Sequence, residues 1–307
     1  MKKHNTFKSA NGENMIHVVS WIPDGEVRAV VQISHGMVEY IERYDDFAAY
    51  LNRFGILVVG NDHLGHGKSV DNDDGFGYFA KKNASRILVE DLHTVTRNIK
   101  KRYPRVPYFL VGHSMGSFLA RRYLMTYGDE LTGAVIMGTG SQPPAVLEFG
   151  KIIVYTLTCI YGEHHRSALA DNIMFGLYNR KIADKRTSKD WLTRDNSIVD
   201  KYIGDKYCSF IFTLNGLNGL LNTISYIQRP ENVEKIPKEL PLFFVAGLED
   251  PVGNYGEGVL KVYDSYKEAG IEAVSIKLYE GCRHELVNEL NKYEVYKDIK
   301  DWIVSKM

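Results

Sequence analysis

Gly112-His113-Ser114-Met115-Gly116 sets one serine between two glycines, each two places away. The apolar run Tyr108-Phe109-Leu110-Val111 precedes it, and Phe118, Leu119 and Ala120 with Arg121 and Arg122 follow in a helix-forming stretch. The spacing predicts strand, sharp turn, helix. A serine on such a turn holds a strained backbone, and side chains two residues to either side would strike the neighbouring strand and helix. Gly112 and Gly116 remove those side chains. The turn also puts Ser114 at a helix N-terminus, whose unpaired N–H groups favour developing negative charge. The chemistry on offer is nucleophilic attack through an acyl-enzyme. Alone, the five-residue pattern is by chance usually an ordinary glycine turn, so structural context and partners decide the matter.

In turns of this kind the acid and then the histidine follow the nucleophile. Three histidines follow Ser114, and His164 and His165 precede the C-terminal strand candidates, which leaves His284. It stands in Glu280-Gly281-Cys282-Arg283-His284-Glu285, a loop between an expected strand and helix, where a plain helix-capping role is the competing reading. For the acid, Leu242-Phe243-Phe244-Val245-Ala246 runs into Gly247-Leu248-Glu249-Asp250-Pro251, placing Asp250 just beyond a strand. A carboxylate there would hold the imidazole tautomer and stabilise the imidazolium formed during attack. Glu249 is the rival, and an aspartate also suits a turn for its own sake. The oxyanion donors are expected to be the backbone N–H groups of Met115 and of Met37, the latter in His35-Gly36-Met37 after the run Val30-Val31-Gln32-Ile33-Ser34. His35 is read as bracing that loop by hydrogen bonds.

The elements that must position these residues follow from apolar patterning. Short Val- and Ile-rich runs at 16–22, 28–34, 56–61, 108–112 and 132–137 show little alternation, as expected for strands covered on both faces. Leu88, Leu92, Val95 and Ile99 mark one apolar face of a helix that Tyr103-Pro104 ends. After Pro237 the rhythm resumes with a strand at 242–246, a helix near 255–268, a strand at 273–279 and a closing helix from about Glu285. Residues from about Ser141 to Pro230 read as helices and loops without a strand series. The expected architecture is α/β, a mostly parallel twisted sheet flanked by helices. Its core comprises residues 1–140 and 231–307, with a mainly helical cap inserted at 141–230. The apolar stretches 151–161 and 208–227 are short or interrupted by Asn and Gly, so neither is read as a membrane span.

Composition narrows the function classes. Hydrophobic residues make up 44% and charged residues 25%, values ordinary for a folded globular chain. Lys plus Arg equals Asp plus Glu at 38 each, so no net field recruits a phosphate backbone and no nucleic-acid partner is expected. The start, MKKHNTFKSANGENM, lacks the apolar run of a secretory signal, and Cys159, Cys208 and Cys282 form neither a disulfide framework nor a CxxC site. A reducing, cytoplasmic compartment is expected.

Three further motifs fail on inspection. Gly65-His66-Gly67-Lys68-Ser69 resembles a phosphate loop, but the required first glycine is Asp62. Gly75-Phe76-Gly77-Tyr78-Phe79-Ala80 follows Asp71-Asn72-Asp73-Asp74 instead of the strand a dinucleotide fingerprint needs. His284-Glu285 begins like a zinc-protease helix, yet its second histidine position is Asn288. Asp62, His63 and His66 are read as a polar turn, so neither metal nor cofactor is expected.

Taken together, His35-Gly36-Met37-Val38-Glu39 with Arg43-Tyr44, then Asn61-Asp62-His63-Leu64-Gly65-His66-Gly67-Lys68-Ser69, then Gly-His-Ser-Met-Gly, closely resemble the monoacylglycerol lipase and lysophospholipase branch of the α/β-hydrolases. The resemblance covers nearly the whole chain. It implies a Ser114, Asp250, His284 triad, oxyanion donors at Met37 and Met115, and a cap forming an apolar entry for an acyl chain. It also implies a small-molecule ester substrate and leaves the cap free to touch a membrane surface transiently. Ile152, Ile153, Val154, Leu157, Ile160, Phe210, Phe212, Leu217, Leu220 and Leu221 are available to line an acyl tunnel, though core packing explains them equally well. Two other readings use the same core: an esterase for small or hydroxycinnamate-type esters, and an aminopeptidase. The latter would need an acidic cluster in the cap, where Glu148 and Glu163 are scattered candidates. A non-catalytic ligand receptor is the remaining reading.

Overall fold

Five Val-, Ile- and Leu-rich runs become strands buried along their whole length, because helices cover them on both sides. The computed structural model describes all 307 residues. In chain order the first half contains β1 (Lys2–Lys8), β2 (Met15–Trp21), β3 (Ala29–Ser34), α1 (Asp45–Asn52), β4 (Ile56–Asn61), α2 (Ala84–Arg102), β5 (Tyr108–His113), α3 (Met115–Tyr127) and β6 (Gly133–Met137). Then α4 (Pro144–Tyr161), α5 (Ala168–Phe175), α6 (Asn196–Gly204), α7 (Leu214–Ile227) and α8 (Pro230–Val233) follow without a strand. The chain closes with β7 (Leu242–Gly247), α9 (Glu257–Glu268), β8 (Val274–Tyr279) and α10 (Lys292–Ser305).

The eight strands form one sheet in the order β1-β2-β4-β3-β5-β6-β7-β8, antiparallel at β1–β2 and β2–β4 and parallel elsewhere. Side chains alternate between two cores. Tyr108 and Leu110 of β5 join Leu88, Leu92 and Leu119 on one face, whereas Phe109 and Val111 join Phe47, Val58 and Tyr296 on the other. The register sets Ser34 of β3 beside Gly112 of β5, and His113 beside Met137 of β6. Three loops therefore leave the same C-terminal edge side by side, the place where parallel α/β sheets hold ligands.

At both ends of the chain the structure departs from the sequence expectations. Strand β1 has no counterpart among them, because its residues are polar and almost all exposed and it is held by pairing with β2. The closing helix starts at Lys292, not near Glu285. The chain from 282 to 291 is pinned instead by side chains: the Glu289 carboxylate accepts from Arg283 N at 2.9 Å and from Arg194 Nε at 2.8 Å.

Candidate active site

Ser114 follows β5 and caps α3 with φ +53°, ψ −123°, a conformation unfavourable for any residue bearing a Cβ. Neighbouring bonds hold it there: Ser114 N–H donates to Met137 O at 3.0 Å, and Ser117 N–H donates to Ser114 O at 2.8 Å. The flanking glycines are required by close approach. A Cβ on Gly116 would run into the Ser34 and His35 carbonyl oxygens, and one on Gly112 would lie 2.5 Å from Gly116 O and 2.7 Å from Ala120 Cβ. The turn can be this tight only where β3, β5 and α3 meet without side chains.

His284 and Asp250 are brought together from loops after β8 and β7. Asp250 is completely buried and His284 almost so; His284 Nδ1 lies 2.9 Å from Asp250 Oδ2. Asp250 Oδ1 accepts from Val252 N–H at 2.8 Å, so the carboxylate is fixed at both oxygens. That geometry puts the proton on Nδ1 and leaves the Nε2 lone pair available. Glu249 turns away: half its side chain is exposed, 3.8 Å from Arg283. Ser114 and His284 line one cavity without a direct hydrogen bond to each other. Such bonds commonly tighten only around substrate.

Met37 and Met115 line the same cavity. Met115 is the first residue of α3, where helix N–H groups lack internal partners, and the Met37 N–H donates to no other backbone carbonyl. Histidines shape the Met37 loop. His35 Nε2 accepts from His63 N–H at 3.0 Å while its Nδ1 donates to Gly36 O at 2.8 Å. His66 Nε2 accepts from Val38 N–H at 3.2 Å while its Nδ1 donates to Leu64 O at 3.0 Å. Both rings are therefore neutral single tautomers. Burial, the dominant cause, pushes His66 down to about 3 and lowers His35 as well. Val38 pays for its place in this loop with φ +55°, an outlier for a β-branched residue. Asp62, singled out as part of a polar turn, is buried and accepts from Ile41 N, Lys68 N and His17 Nδ1, each at 2.8 Å.

Two features were not assembled from the sequence: Trp191 and Leu192 carried no signal there, and Glu39, Arg43, Tyr44 and His113 stood in its motifs without a role. Trp191 and Leu192, between α5 and α6, hold the histidine loop: Glu285 N–H donates to Leu192 O at 2.7 Å, and the Trp191 ring lies 5.1 Å from the His284 ring. At the cavity wall, the buried Glu39, Tyr44, His113 and Glu285 form a polar cluster with the largely covered Arg43, and Glu39, His113 and Glu285 border the cavity itself.

The cavity over Ser114 has a volume of about 600 Å³, and 21 of its 36 lining residues are hydrophobic, the character of a pocket for an apolar ligand. Of the residues considered for an acyl tunnel, Phe210, Leu220 and Leu221 line it, together with Val146, Leu147 and Ile224. Val154, Phe212 and Leu217 are buried in the core, while Ile152 and Ile160 point outward. Helix α4 is 18 residues long, long and apolar enough by length and composition to cross a membrane, and it carries exposed Phe149, Ile152 and Tyr155. The stretch read as too short thus belongs to a longer helix that begins at Pro144.

An eight-stranded, mostly parallel sheet with a serine turn at the centre of its C-terminal edge is the α/β-hydrolase fold. The sequence profile of the serine aminopeptidase (S33) family of hydrolases matches residues 25–291, and the chain belongs to that family. It is 28% identical over 292 residues to monoglyceride lipase of Rattus norvegicus, covering 92% of this chain and 84% of the relative. It is 25% identical over 308 residues to monoacylglycerol lipase of Mycolicibacterium smegmatis, covering 100% and 98%. Among solved structures it is similar to a thermostable carboxyl esterase from Bacillus coagulans in complex with glycerol, with a TM-score of 0.92, 30% identity and coverage of 99% and 98%.

Proposed function

We propose that this chain is a serine ester hydrolase that cleaves monoacylglycerols, with Ser114, His284 and Asp250 as its triad. The observation that carries the reading is the buried His284–Asp250 pair facing the cavity of a strained serine. His284 Nε2 takes the hydroxyl proton as Ser114 Oγ attacks the ester carbonyl. Asp250 holds the Nδ1–H tautomer and offsets the charge that forms on the ring. The backbone N–H groups of Met37 and Met115 stabilise the oxyanion. His284 then protonates the departing alcohol, and water releases the acid by the same route in reverse.

The substrate class rests on the apolar cavity and on the monoglyceride lipases among the relatives. Residues 141–230 act as a cap over residues 1–140 and 231–307, and the acyl chain lies between Leu221, Ile224 and Leu147. The outward apolar side chains of α4 would meet a membrane surface while substrate enters. Free cysteines at 159, 208 and 282 fit a cytoplasmic setting. An aminopeptidase pocket is less well supported: Glu148 pairs with Lys151 and Glu163 bonds Tyr78, and neither lines the cavity.

The test is turnover of monoacylglycerols, lysophospholipids, aryl esters and aminoacyl amides of graded length by wild type and Ser114→Ala. Long-chain monoacylglycerols are expected to give the highest kcat/KM, and the variant to lose hydrolysis while keeping its melting temperature. Ser114→Ala turnover at the wild-type rate, or a preference for aminoacyl amides, would overturn the reading.

A further inference from the structure

His113 immediately precedes the candidate nucleophile, and both of its ring nitrogens face acceptors. Nδ1 lies 3.0 Å from Glu39 Oε1, and Nε2 lies 3.3 Å from the backbone carbonyl of His284. A carbonyl oxygen only accepts, so Nε2 must carry a proton. The Glu39 carboxylate also receives Gly36 N–H at 2.5 Å, Tyr44 O–H at 3.0 Å and Arg43 Nη1 at 3.0 Å. With those donors committed it is an ionised acceptor. The Tyr44 hydroxyl also lies 3.1 Å from Nδ1, but its single hydrogen placed there would leave a bare Nδ1 lone pair 3.0 Å from the ionised Glu39 oxygen; the hydroxyl therefore donates to Glu39, and Nδ1 carries a proton too.

Charge counting gives the same answer. The buried cluster holds two carboxylates, Glu39 and Glu285, and one guanidinium, Arg43, which bonds both. A neutral His113 would leave one uncompensated negative charge in a region where Glu39, Tyr44, His113, His284 and Glu285 are all nearly inaccessible to water. His35 faces the same carboxylate but is committed to Gly36 O and His63 N–H as a neutral ring, so it supplies no charge. We propose that His113 is a buried imidazolium whose two N–H groups clamp the Met37 loop and the His284 loop to the Ser114 turn.

Its reach explains why the position matters. Through Nδ1 and Glu39 it fixes Gly36 N–H, one residue before the Met37 donor; through Nε2 it fixes the backbone of His284 itself. The two rings lie 4.8 Å apart, and Gly138, with φ +58°, lets both approach the β6 turn: a Cβ there would come within 3.3 Å of His284 Cε1 and 3.4 Å of His113 Cδ2. Burial works against the charged ring, yet the hydrogen bond and charge of Glu39 outweigh it and hold His113 above the ordinary imidazole range. His113 borders the cavity, but both of its ring nitrogens are committed to protein groups on the loops that carry the reacting residues, so it acts as a positioning residue.

The protonation state is independent of the proposed ester hydrolysis, whereas its effect on rate rests on that reading, so two measurements separate them. In nitrogen-15-labelled protein, two-bond proton–nitrogen correlations report each ring nitrogen, with His113 assigned by through-bond transfer from its backbone. Both nitrogens are expected to stay protonated at about pH 8, where a free imidazole of pKa about 6.5 is neutral. One bare nitrogen at that pH would overturn the proposal, whatever substrate the enzyme prefers. The second measurement is the pH profile of monoacylglycerol hydrolysis by Glu39→Gln. Its alkaline limb in kcat/KM is expected to move acidward by about one pH unit or more, with KM changed less than about twofold. A uniform loss at every pH with an unmoved limb would reduce His113 to packing and overturn the positioning role.

Discussion

Arg43 grips Glu285 with both arms of its guanidinium, at 2.7 Å each, across 242 residues of sequence. The pair joins the loop that follows β3 to the residue next to His284, and Tyr202 of α6 covers it with its ring 4.9 Å from the guanidinium. Removing Arg43 leaves the Glu285 and Glu39 carboxylates with too few donors, at a cost of about 3–5 kcal/mol. Arg43→Ala is therefore expected to lower the urea midpoint strongly. Arg43→Lys, which cannot span both oxygens, is expected to fall between wild type and Arg43→Ala in unfolding and in kcat/KM.

Asp250 should be separable from stability in kind. Asp250→Asn keeps the shape but offers an amide where Nδ1–H needs an acceptor, so the imidazole adopts the wrong tautomer. The expected loss in kcat is about 10⁴-fold with KM little changed, measured by steady-state turnover of one monoacylglycerol. Glu249→Gln is expected to leave turnover near wild type, because that side chain is half exposed and turned away from the imidazole.

The Glu39–His113 pair makes stability depend on pH in a defined sense. Glu39 is held below the usual carboxylate range: burial pushes it up, but His113 and then Arg43 outweigh that. A depressed carboxylate contributes stability above its unfolded pKa and loses it as pH falls through the folded one. A raised imidazole, as at His113, contributes below its unfolded pKa and loses it as pH rises through the folded one. The stability gap between wild type and Glu39→Gln is thus expected to be widest from about pH 4.5 to about 6.5 and to narrow on both sides. Urea titrations across that range would measure it.

Leu221 tests the acyl cavity. It lines the cavity and its methyl carbons lie 3.4 and 3.6 Å from where a Cβ on Gly150 of α4 would stand, so an indole in its place has its room on the side of the open volume. Leu221→Trp is expected to shift the preferred acyl chain to shorter lengths with little change on the shortest substrates, read from kcat/KM along a chain-length series.

Gly116 tests the close approach at the turn. Alanine would drive its methyl into backbone carbonyls of β3 that cannot rotate away. Gly116→Ala is expected to destabilise by about 1–3 kcal/mol and to abolish turnover, measured by calorimetry and ester hydrolysis together.

How much could be read from the chain depended on how local the physics was. The fully buried strands β3 to β7 announce themselves as unalternated apolar runs, and the Ser114 turn by glycines whose absent side chains the turn demands. Asp250 and His284 could be singled out because each follows a strand end, where a turn residue and a reactive one share the same place. Strand β1 gave no such sign, since its stability comes from pairing with β2 and not from burying its own side chains.

The sequence by itself therefore determined the layered α/β architecture and singled out the three side chains proposed for the chemistry, because backbone propensity, apolar periodicity and turn geometry act over a few neighbouring residues. Only the tertiary structure decided that Arg43 meets Glu285, that His113 lies between Glu39 and the His284 carbonyl, and that Leu221 faces the cavity while Ile152 faces out. Those pairings join segments up to 242 residues apart. They are set by strand order and helix packing, and a charged or apolar residue looks the same in the chain whichever partner the fold brings to it.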